Sequence, residues 1–386
     1  MNFASIRTVF VVFLSLLPGF LHAGTIRGRV LDGDNRIFLD GVEVRIPATG
    51  QTVYSKDGGA FALRGLPAGE YEVVFSYVGF PEEERTVVLA SENSVVQIDQ
   101  RLSLGEVYEL ETFVVTGSVI GQAKAFNQKR AASNVKEIIA SDAFGSFVDR
   151  NAAEALQRVA VISVEDSQGE GKFIIVRGAD PSLNTVAIDG VVAATPEEDG
   201  RSTGLNIISI DQLERIEVSK TWLPDDWANF VGGSVNLITR SALDREKLFI
   251  NAGVAIGKYE IAEEESYRYN VAVGNSWNIG KNGSRLGLQL SVDQSEDNRG
   301  SDTLDTKGWD PIAQPDLKFV PSSGFGLEGI ELEDYLITRE RTGLSSKLEF
   351  ELNPRHRWGL SISFNEFNDD EVLQETDLNP DVDAVN

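Results

Sequence analysis

The side chains that carry most enzyme chemistry are scarce in this chain. It has no cysteine and only two histidines, His22 and His356. That removes thiolate nucleophiles, Cys-based metal sites and disulfide frameworks together, and leaves histidine catalysis without a constellation. Carboxylates are plentiful, and Asp166, Asp180, Asp189 and Glu217 are those that could be presented as an acid–base pair for glycoside hydrolysis. No spacing singles out a pair. The Gly-rich stretches lack the Lys-Ser/Thr sequel that cradles a phosphate. Neither a catalytic residue, a cofactor nor a metal centre is expected, and the chain does not read as an enzyme. What remains is main-chain chemistry. The β-prone strip Glu109 to Ser118, flanked by acidic residues and closed by Gly117-Ser118, is either an ordinary edge strand or a free segment that adds itself to another protein's sheet.

Around these positions the chain is strongly acidic, with 60 Asp and Glu against 35 Lys and Arg and a net charge of -25. A phosphate backbone demands a basic surface, so nucleic acid is excluded as a partner. The acidic clusters Glu82 to Glu84, Glu263 to Glu265 and Asp369 to Asp383 read as solvated loops. At the start, Arg7, the apolar run Val9 to Leu17, the Pro18-Gly19 break and Leu21-His22-Ala23 follow the order of a secretory signal peptide, with cleavage expected after Ala23. A buried N-terminal helix is the alternative. No later run is long and apolar enough for a transmembrane helix, so any membrane insertion must use strands.

Residues 24–104 alternate in short apolar segments: Ile26 to Leu31, Val42 to Ile46, Thr52 to Ser55, Ala60 to Leu63, Tyr71 to Ser76, Thr86 to Leu89 and Val95 to Leu102. Turn signals such as Asp32-Gly33, Asp57-Gly58 and Leu66-Pro67-Ala68-Gly69 separate them, which predicts an antiparallel β-sandwich. The strings Gly28-Arg29-Val30, Asp57-Gly58-Gly59-Ala60-Phe61, Leu66-Pro67-Ala68-Gly69-Glu70-Tyr71 and Tyr77-Val78-Gly79-Phe80 resemble the carboxypeptidase-regulatory-like domain. That resemblance implies a spacer or partner-docking module. Carbohydrate binding is a further implication, although no exposed aromatic platform can be picked out.

Residues 119–243 predict a small α+β domain. Asn151 to Val159 reads as a short helix, with Asn151 as N-cap and Glu154 three positions on, as in a capping box. Strands follow at Ile162 to Glu165, Phe173 to Arg177, Thr185 to Asp189, Arg215 to Ser219 and Ser234 to Thr239. Five strings occur in the order and spacing of the TonB-dependent receptor plug. They are Asn151 to Val159, Ile174-Ile175-Val176-Arg177-Gly178, Val186-Ala187-Ile188-Asp189-Gly190-Val191, Leu213-Glu214-Arg215-Ile216-Glu217-Val218-Ser219-Lys220 and Gly232-Gly233-Ser234-Val235-Asn236-Leu237-Ile238-Thr239. The departures are Ala160-Val161, where the family usually has Pro-Gly, and an aromatic approach to Gly232 through Trp227 and Phe230. The resemblance makes Arg177, Gly178, Asp189, Gly190, Glu214, Arg215, Glu217, Gly232, Gly233 and Asn236 the plug signature. Arg177, Glu214, Arg215 and Glu217 are either charge pairs that hold a plug in a polar lumen or solvated strand-face charges.

Just ahead of it, in the linker 105–118, Glu111, Thr112, Phe113, Val114, Val115 and Thr116 look like a TonB box, which implies TonB and its inner-membrane motor complex as partners. Loop geometry makes Val192 to Thr203, with Glu197, Glu198, Asp199 and Arg201, the expected apical ligand contact.

From residue 244 to 386 the alternation changes character. Leu286, Leu288, Leu290 and Val292, then Leu344, Leu348, Phe350 and Leu352, then Trp358, Leu360, Ile362 and Phe364 each alternate with small or polar residues, as do Leu248 to Ile256 and Tyr267 to Trp277. These runs approach the roughly 9–11 residues of a membrane strand, and Tyr267, Trp277 and Trp358 fall near run ends, where an aromatic girdle is expected. The connections Lys258 to Ser266 and Glu296 to Ile330 are expected outside, with Ile279 to Ser284 and Asn353 to Arg355 inside.

The fold class expected is therefore mainly β: an N-terminal β-sandwich, an α+β plug, and the first about five antiparallel strands of an incomplete transmembrane β-barrel. Bacterial barrels need at least about 8 strands and large transporters of this type have roughly 22. A truncated chain, a split reading frame or a pseudogene product is expected, and Asn386 lacks the terminal aromatic residue of the family. The resemblance implies an outer-membrane transporter that takes up a scarce small ligand (siderophore, cobalamin, glycan or peptide), surrounded by outer-membrane lipid, with the sandwich in the periplasm. A signalling receptor, a soluble secreted adhesin or carbohydrate-binding protein, and a non-functional transporter fragment are the rival readings.

Overall fold

The computed structural model describes residues 24–33, 36–103, 116–141, 151–195, 200–224, 226, 230–280, 283–311, 325–354 and 356–378. They divide into two compact units. One holds the described residues up to Ser103 together with Phe126–Ala131, and the other holds Thr116–Ala125 and everything from Ala132 onward.

In the first unit eight strands form two sheets: β1 (Gly24–Asp32), β2 (Glu43–Ile46), β3 (Gln51–Tyr54), β4 (Ala60–Leu66), β5 (Gly69–Ser76), β6 (Glu83–Leu89), β7 (Val95–Gln97) and β8 (Gln100–Leu102). One sheet runs β4-β1-β7 with β8 also on β1, and the other runs β3-β2-β5-β6. Their facing apolar residues, among them Ile26, Val44, Leu63, Val73 and Phe75, are wholly buried, and Phe61 meets Phe75 edge-on at 5.6 Å.

Two expectations need correction here. The sandwich is not purely antiparallel, because β7 and β8 both lie parallel to β1. Alternation reports which face a residue occupies but carries no information on strand direction. The single strand expected from Val95 to Leu102 is also broken at Ile98, whose amide donates to the Arg27 carbonyl at 2.9 Å. That crossing explains Gly28: a Cβ there would lie 1.6 Å from the Ile98 carbonyl oxygen.

Helix α1 (Thr116–Ala131) has no counterpart in the sequence-based reading, which made Gly117-Ser118 a flexible close. Its composition is small, polar and basic, so no apolar stripe betrays it. Within the first unit its Asn127 is fully buried, accepting from the Val78 amide at 3.1 Å and donating to the Val78 carbonyl at 3.3 Å.

The second unit begins with an α+β region. Strand β9 (Lys136–Ala140), helix α2 (Ala152–Leu156), the hairpin β10 (Ile162–Ser167) and β11 (Glu170–Val176), then β12 (Thr185–Ile188), β13 (Val191–Val192), β14 (Leu213–Ser219) and β15 (Ser234–Thr239) follow in order. Five of these strands make a mixed sheet, β13-β12-β15-β14-β9, in which β12 and β15 are parallel. Asn151 caps α2 as expected, its Oδ1 accepting from the Glu154 amide at 3.0 Å. Leu156, Leu205, Ile216, Val218, Val235 and Leu237 close the core.

The chain then enters a five-stranded antiparallel sheet paired in sequence order: β16 (Phe249–Lys258), β17 (Glu265–Ile279), β18 (Ser284–Pro311), β19 (Phe325–Asn353) and β20 (His356–Leu378). Its two faces invert the usual arrangement of a soluble protein. Val254, Leu348, Leu360 and Ile362 on one face are exposed, Val254 to 80% and Ile362 to 63%. On the other face Arg285, Gln289, Ser291, Asp293, Glu349 and Glu351 are buried, Gln289 and Glu351 to 1% exposure. Water would select the opposite partition, whereas a sheet with hydrocarbon on one side and a polar lumen on the other selects this one. Trp277, Leu286, Phe350 and Trp358 lie directly opposite one another across four strands, with Phe350 and Trp358 stacked at 5.9 Å.

The strands are longer than the alternation implied. Residues 296 to 330, read as an outer connection, are strand as far as Pro311 and again from Phe325, and the acidic stretch from Asp369 is paired strand up to Leu378. Backbone pairing needs no apolar face, so a ribbon that is polar on both sides extends a sheet without leaving a periodic signal.

Candidate functional site

The signature glycines and charges of the α+β region hold its own framework together. Arg177 and Gly178 follow β11, and Asp189 and Gly190 follow β12, all four at positive φ. The strained Asp189 is fixed by three donors: the Thr239 amide at 3.0 Å, the Thr239 hydroxyl at 2.5 Å and Lys347 Nζ at 3.0 Å. Asn236 Oδ1 accepts from the Gly190 amide at 2.9 Å. At the start of β15 the backbone packs too closely for side chains: a Cβ on Gly232 would lie 2.3 Å from Asn184 Oδ1, and one on Gly233 2.7 Å from Val176 Cγ1.

The charges on β14 are paired locally. Glu217 takes Arg215 Nε and Lys136 Nζ, each at 2.7 Å, and Glu214 takes Lys124 Nζ at 3.3 Å. Burial pushes both carboxyls up, but the neighbouring cations outweigh it and hold both below the ordinary carboxylate value.

Apart from Asp189, whose Lys347 partner lies on β19, the contacts that reach the sheet are made by other residues. At the tip of the β10–β11 hairpin Glu170 is 1% exposed. Its carboxylate accepts from Arg339 Nη1 at 2.6 Å and from Arg341 Nη2 at 2.6 and 2.8 Å, while Arg299 Nη2 lies 3.5 Å away. Asn151 Nδ2 donates to it at 2.7 Å, so the group that caps α2 also braces Glu170. Gln168 Oε1 accepts from Arg339 Nη2 at 2.5 Å, and the Asn206 carbonyl from Arg341 Nε at 2.8 Å. Burial raises the Glu170 carboxyl, but Arg341, Arg299 and Arg339 outweigh it and hold it below its ordinary range. It is a buried anion made tolerable by guanidiniums.

Further rungs run down the same face. Gln212 Nε2 donates to Asp293 Oδ1 and Asn365 Oδ1, both at 2.9 Å, and Asp189 meets Lys347. Ser241 Oγ donates to Glu349 at 2.5 Å, and Arg285 Nη1 donates to the Leu243 carbonyl at 2.9 Å while pairing with Glu351 at 2.9 Å. On β18 the contact residues extend from Arg285 to Ser301, which lies within 4 Å of a Cβ placed on Gly169. That is roughly 50 Å of strand. The α+β region is thus hydrogen-bonded at successive points along this stretch of the polar face, in the manner of a stopper against its wall.

Family comparison agrees with this geometry. Residues 128–222 match the TonB-dependent Receptor Plug Domain and residues 26–115 the CarboxypepD_reg-like domain. The chain carries a TonB-dependent receptor plug. No curated protein matches the chain in sequence. Among solved structures it is similar to the ferric citrate transporter FecA (15% identity, TM-score 0.35, covering 67% of this chain and 51% of that one). It is also similar to the outer membrane transporter YddB from Escherichia coli (11%, 0.32, 61% and 39%). A third is the siderophore receptor PiuA from Acinetobacter baumannii (14%, 0.32, 60% and 36%). The chain spans about half, or less, of the length of each. The plug family is one of receptors and transporters rather than enzymes.

Of the carboxylates weighed as acid–base candidates, Asp180 caps a short 3₁₀ turn, accepting from the Ser182 amide at 2.9 Å, Asp189 is tied to Thr239 and Lys347, and Glu217 to Arg215 and Lys136. Glu331, Glu375 and Asp377 on the wall bring carboxylate oxygens within 4.8 Å of one another, but Lys307 Nζ already sits 2.5 Å from Asp377.

Of the expected coupling segment, Glu111 to Val115 lie outside the described residues, and Thr116 opens α1. Glu197, Glu198 and Asp199 also lie outside them, and Arg201 is exposed. The residues that the sequence reading passed over are Glu170, Arg299, Arg339 and Arg341. A signal existed: Arg339 and Arg341 are two apart on the strand face opposite the apolar one, where buried guanidiniums need counter-charges.

Proposed function

We propose that this chain is the N-terminal portion of an outer-membrane receptor that takes up a scarce small ligand through the energy of TonB. The observation that carries the reading is a TonB-dependent receptor plug hydrogen-bonded along the polar face of a sheet whose opposite face is exposed and apolar. A sheet of that kind is stable with lipid on its outer side. In the proposed layout residues 1–23 direct export, 24–104 form the periplasmic sandwich, 105–118 the coupling linker, 119–243 the plug, and 244–386 the start of the barrel. The ligand meets the apical loop around Glu197, Glu198, Asp199 and Arg201. TonB then grips Glu111 to Thr116 by strand addition, where main-chain hydrogen bonds supply affinity, and displaces the plug. No covalent chemistry is involved.

Residues 1–386 hold no cysteine, so a single one can be introduced into the coupling segment. Val114→Cys, placed in the full-length protein in its own envelope, is expected to form a disulfide with single cysteines placed along the periplasmic arm of TonB. Deletion of residues 111–116 is expected to abolish uptake while leaving surface binding of the ligand intact. A chain that forms no such disulfide and imports normally after the deletion would sink the coupling claim.

A further inference from the structure

The wall arginines have two kinds of partner. Asp297 on β18, 2.9 Å from Arg341 Nη1, and Asp369 on β20, 3.1 Å from Arg339 Nε, belong to the wall and stay with it. Glu170, Gln168 Oε1 and the Asn206 carbonyl belong to the plug. Withdrawing the plug hairpin therefore strips the acceptors from Arg339 Nη1 and Nη2 and from Arg341 Nη2. The guanidiniums remain pinned by their wall carboxylates. The cluster has nevertheless lost one of its counter-charges, and the excess positive charge is costly until another anion replaces it, which a neutral hydroxyl-bearing solute cannot do. The guanidinium fork is matched in shape to a planar carboxylate, which is the group it holds in this structure.

We propose that Arg299, Arg339 and Arg341 form a carboxylate-binding station on the inner face of the wall. Glu170 occupies it while the plug is seated, and a carboxylate of the incoming solute takes it over as the hairpin withdraws. This rests on the reading that the plug moves to open a passage, and it narrows the ligand to a carboxylate-bearing class. Glu170 is a resident stand-in for the solute: it keeps the station neutral while the passage is closed, and solute and plug compete for the same donors.

The test is chemical rescue in the full-length receptor folded in detergent. Glu170→Ala is expected to lower the thermal midpoint, and acetate is expected to restore at least half of the loss. Chloride at equal ionic strength, which screens identically, is expected to restore none of it. Adding Arg339→Ala and Arg341→Ala is expected to abolish the acetate effect. Equal response to the two salts, or rescue that survives loss of the arginines, overturns the proposal.

Should Glu170→Ala fail to fold, Glu170→Cys gives the same information. The unfolded variant, with any other cysteine replaced, is labelled at this thiol with either a sulfonate-bearing or a trimethylammonium-bearing methanethiosulfonate, then refolded. The sulfonate form is expected to recover the wild-type midpoint and the ammonium form to fall short, and equal recovery of both overturns the station. Neither readout involves uptake, so failure of the transport reading leaves these outcomes interpretable.

Discussion

Replacing Leu348 by arginine tests the lipid-facing assignment of the sheet. Leu348 lies on the exposed face of β19, opposite Leu288 on β18 and Leu360 on β20. The apolar positions on that face of β19 run from Leu344 to Leu352, with Leu348 at their centre. Four residues on either side at about 3.3 Å each, on strands tilted by about 40°, place Leu348 roughly 10 Å inside either end of the band. That is close to the midplane, where an outward arginine costs about 2–4 kcal/mol, or roughly 30- to 800-fold in the folding equilibrium.

Thr342→Arg, one outward position beyond the band on the same strand, is expected to cost at most about 1 kcal/mol. Both are read from urea titrations of the full-length receptor folded into phospholipid vesicles, following tryptophan fluorescence. On the surface of a soluble protein either arginine would shift stability by less than about 0.5 kcal/mol. Equal, small effects at the two positions would therefore remove the hydrocarbon from the outer face and the transporter reading with it.

Three further outcomes follow from named contacts. Glu170, Glu214 and Glu217 titrate below their ordinary 4.5 in the folded chain. Their stabilisation is therefore complete above about pH 4.5 and is lost as pH falls through the lower folded values. Hydrogen exchange of the β10–β11 hairpin should be flat from pH 7 to 5, after correction for the intrinsic rate, and rise only below that; a rise between 7 and 5 contradicts the assignment. Asn151→Ala removes both the cap of α2 and a donor to Glu170, and is expected to cost about 2–3 kcal/mol in chemical unfolding, against about 1 kcal/mol for a cap alone. Gly28→Ala must push the Ile98 carbonyl aside, so a loss of about 2 kcal/mol or more is expected from the sandwich transition in a calorimetric melt. An unchanged transition would mean that the β1–β7 crossing is looser than its distances imply.

How much of this was legible depended on whether a residue's role was local. Strand faces were, because alternation of Leu286, Leu288, Leu290 and Val292 with polar neighbours states a face without reference to anything distant. The cap at Asn151 was legible for the same reason, since its partner amide is three residues away. The parallel pairing of β7 and β8 with β1 was not, nor was α1, whose buried Asn127 and Lys124 follow no apolar stripe. Least legible was the Glu170 cluster. Its members are separated by up to 171 positions along the chain, and only the juxtaposition of hairpin and wall gives them a common purpose. The signature charges on β14 were visible as charges, but whether they faced wall or neighbour could be decided only by finding Lys136 and Lys124 beside them.

The inverted sheet also bears on how such a chain could be delivered. No described helix is long and apolar enough to cross a membrane, and along much of the wall strands an apolar residue is followed by a small or polar one. While the polypeptide is extended, its greasy side chains point alternately to opposite sides, and an export channel meets no run of about 20 apolar residues to release sideways as a helix. Affinity for hydrocarbon arises only when neighbouring strands align and gather every second side chain onto one surface. Membrane-seeking is thus latent in the thread and appears on pairing, which lets a polypeptide pass through one bilayer before settling in another.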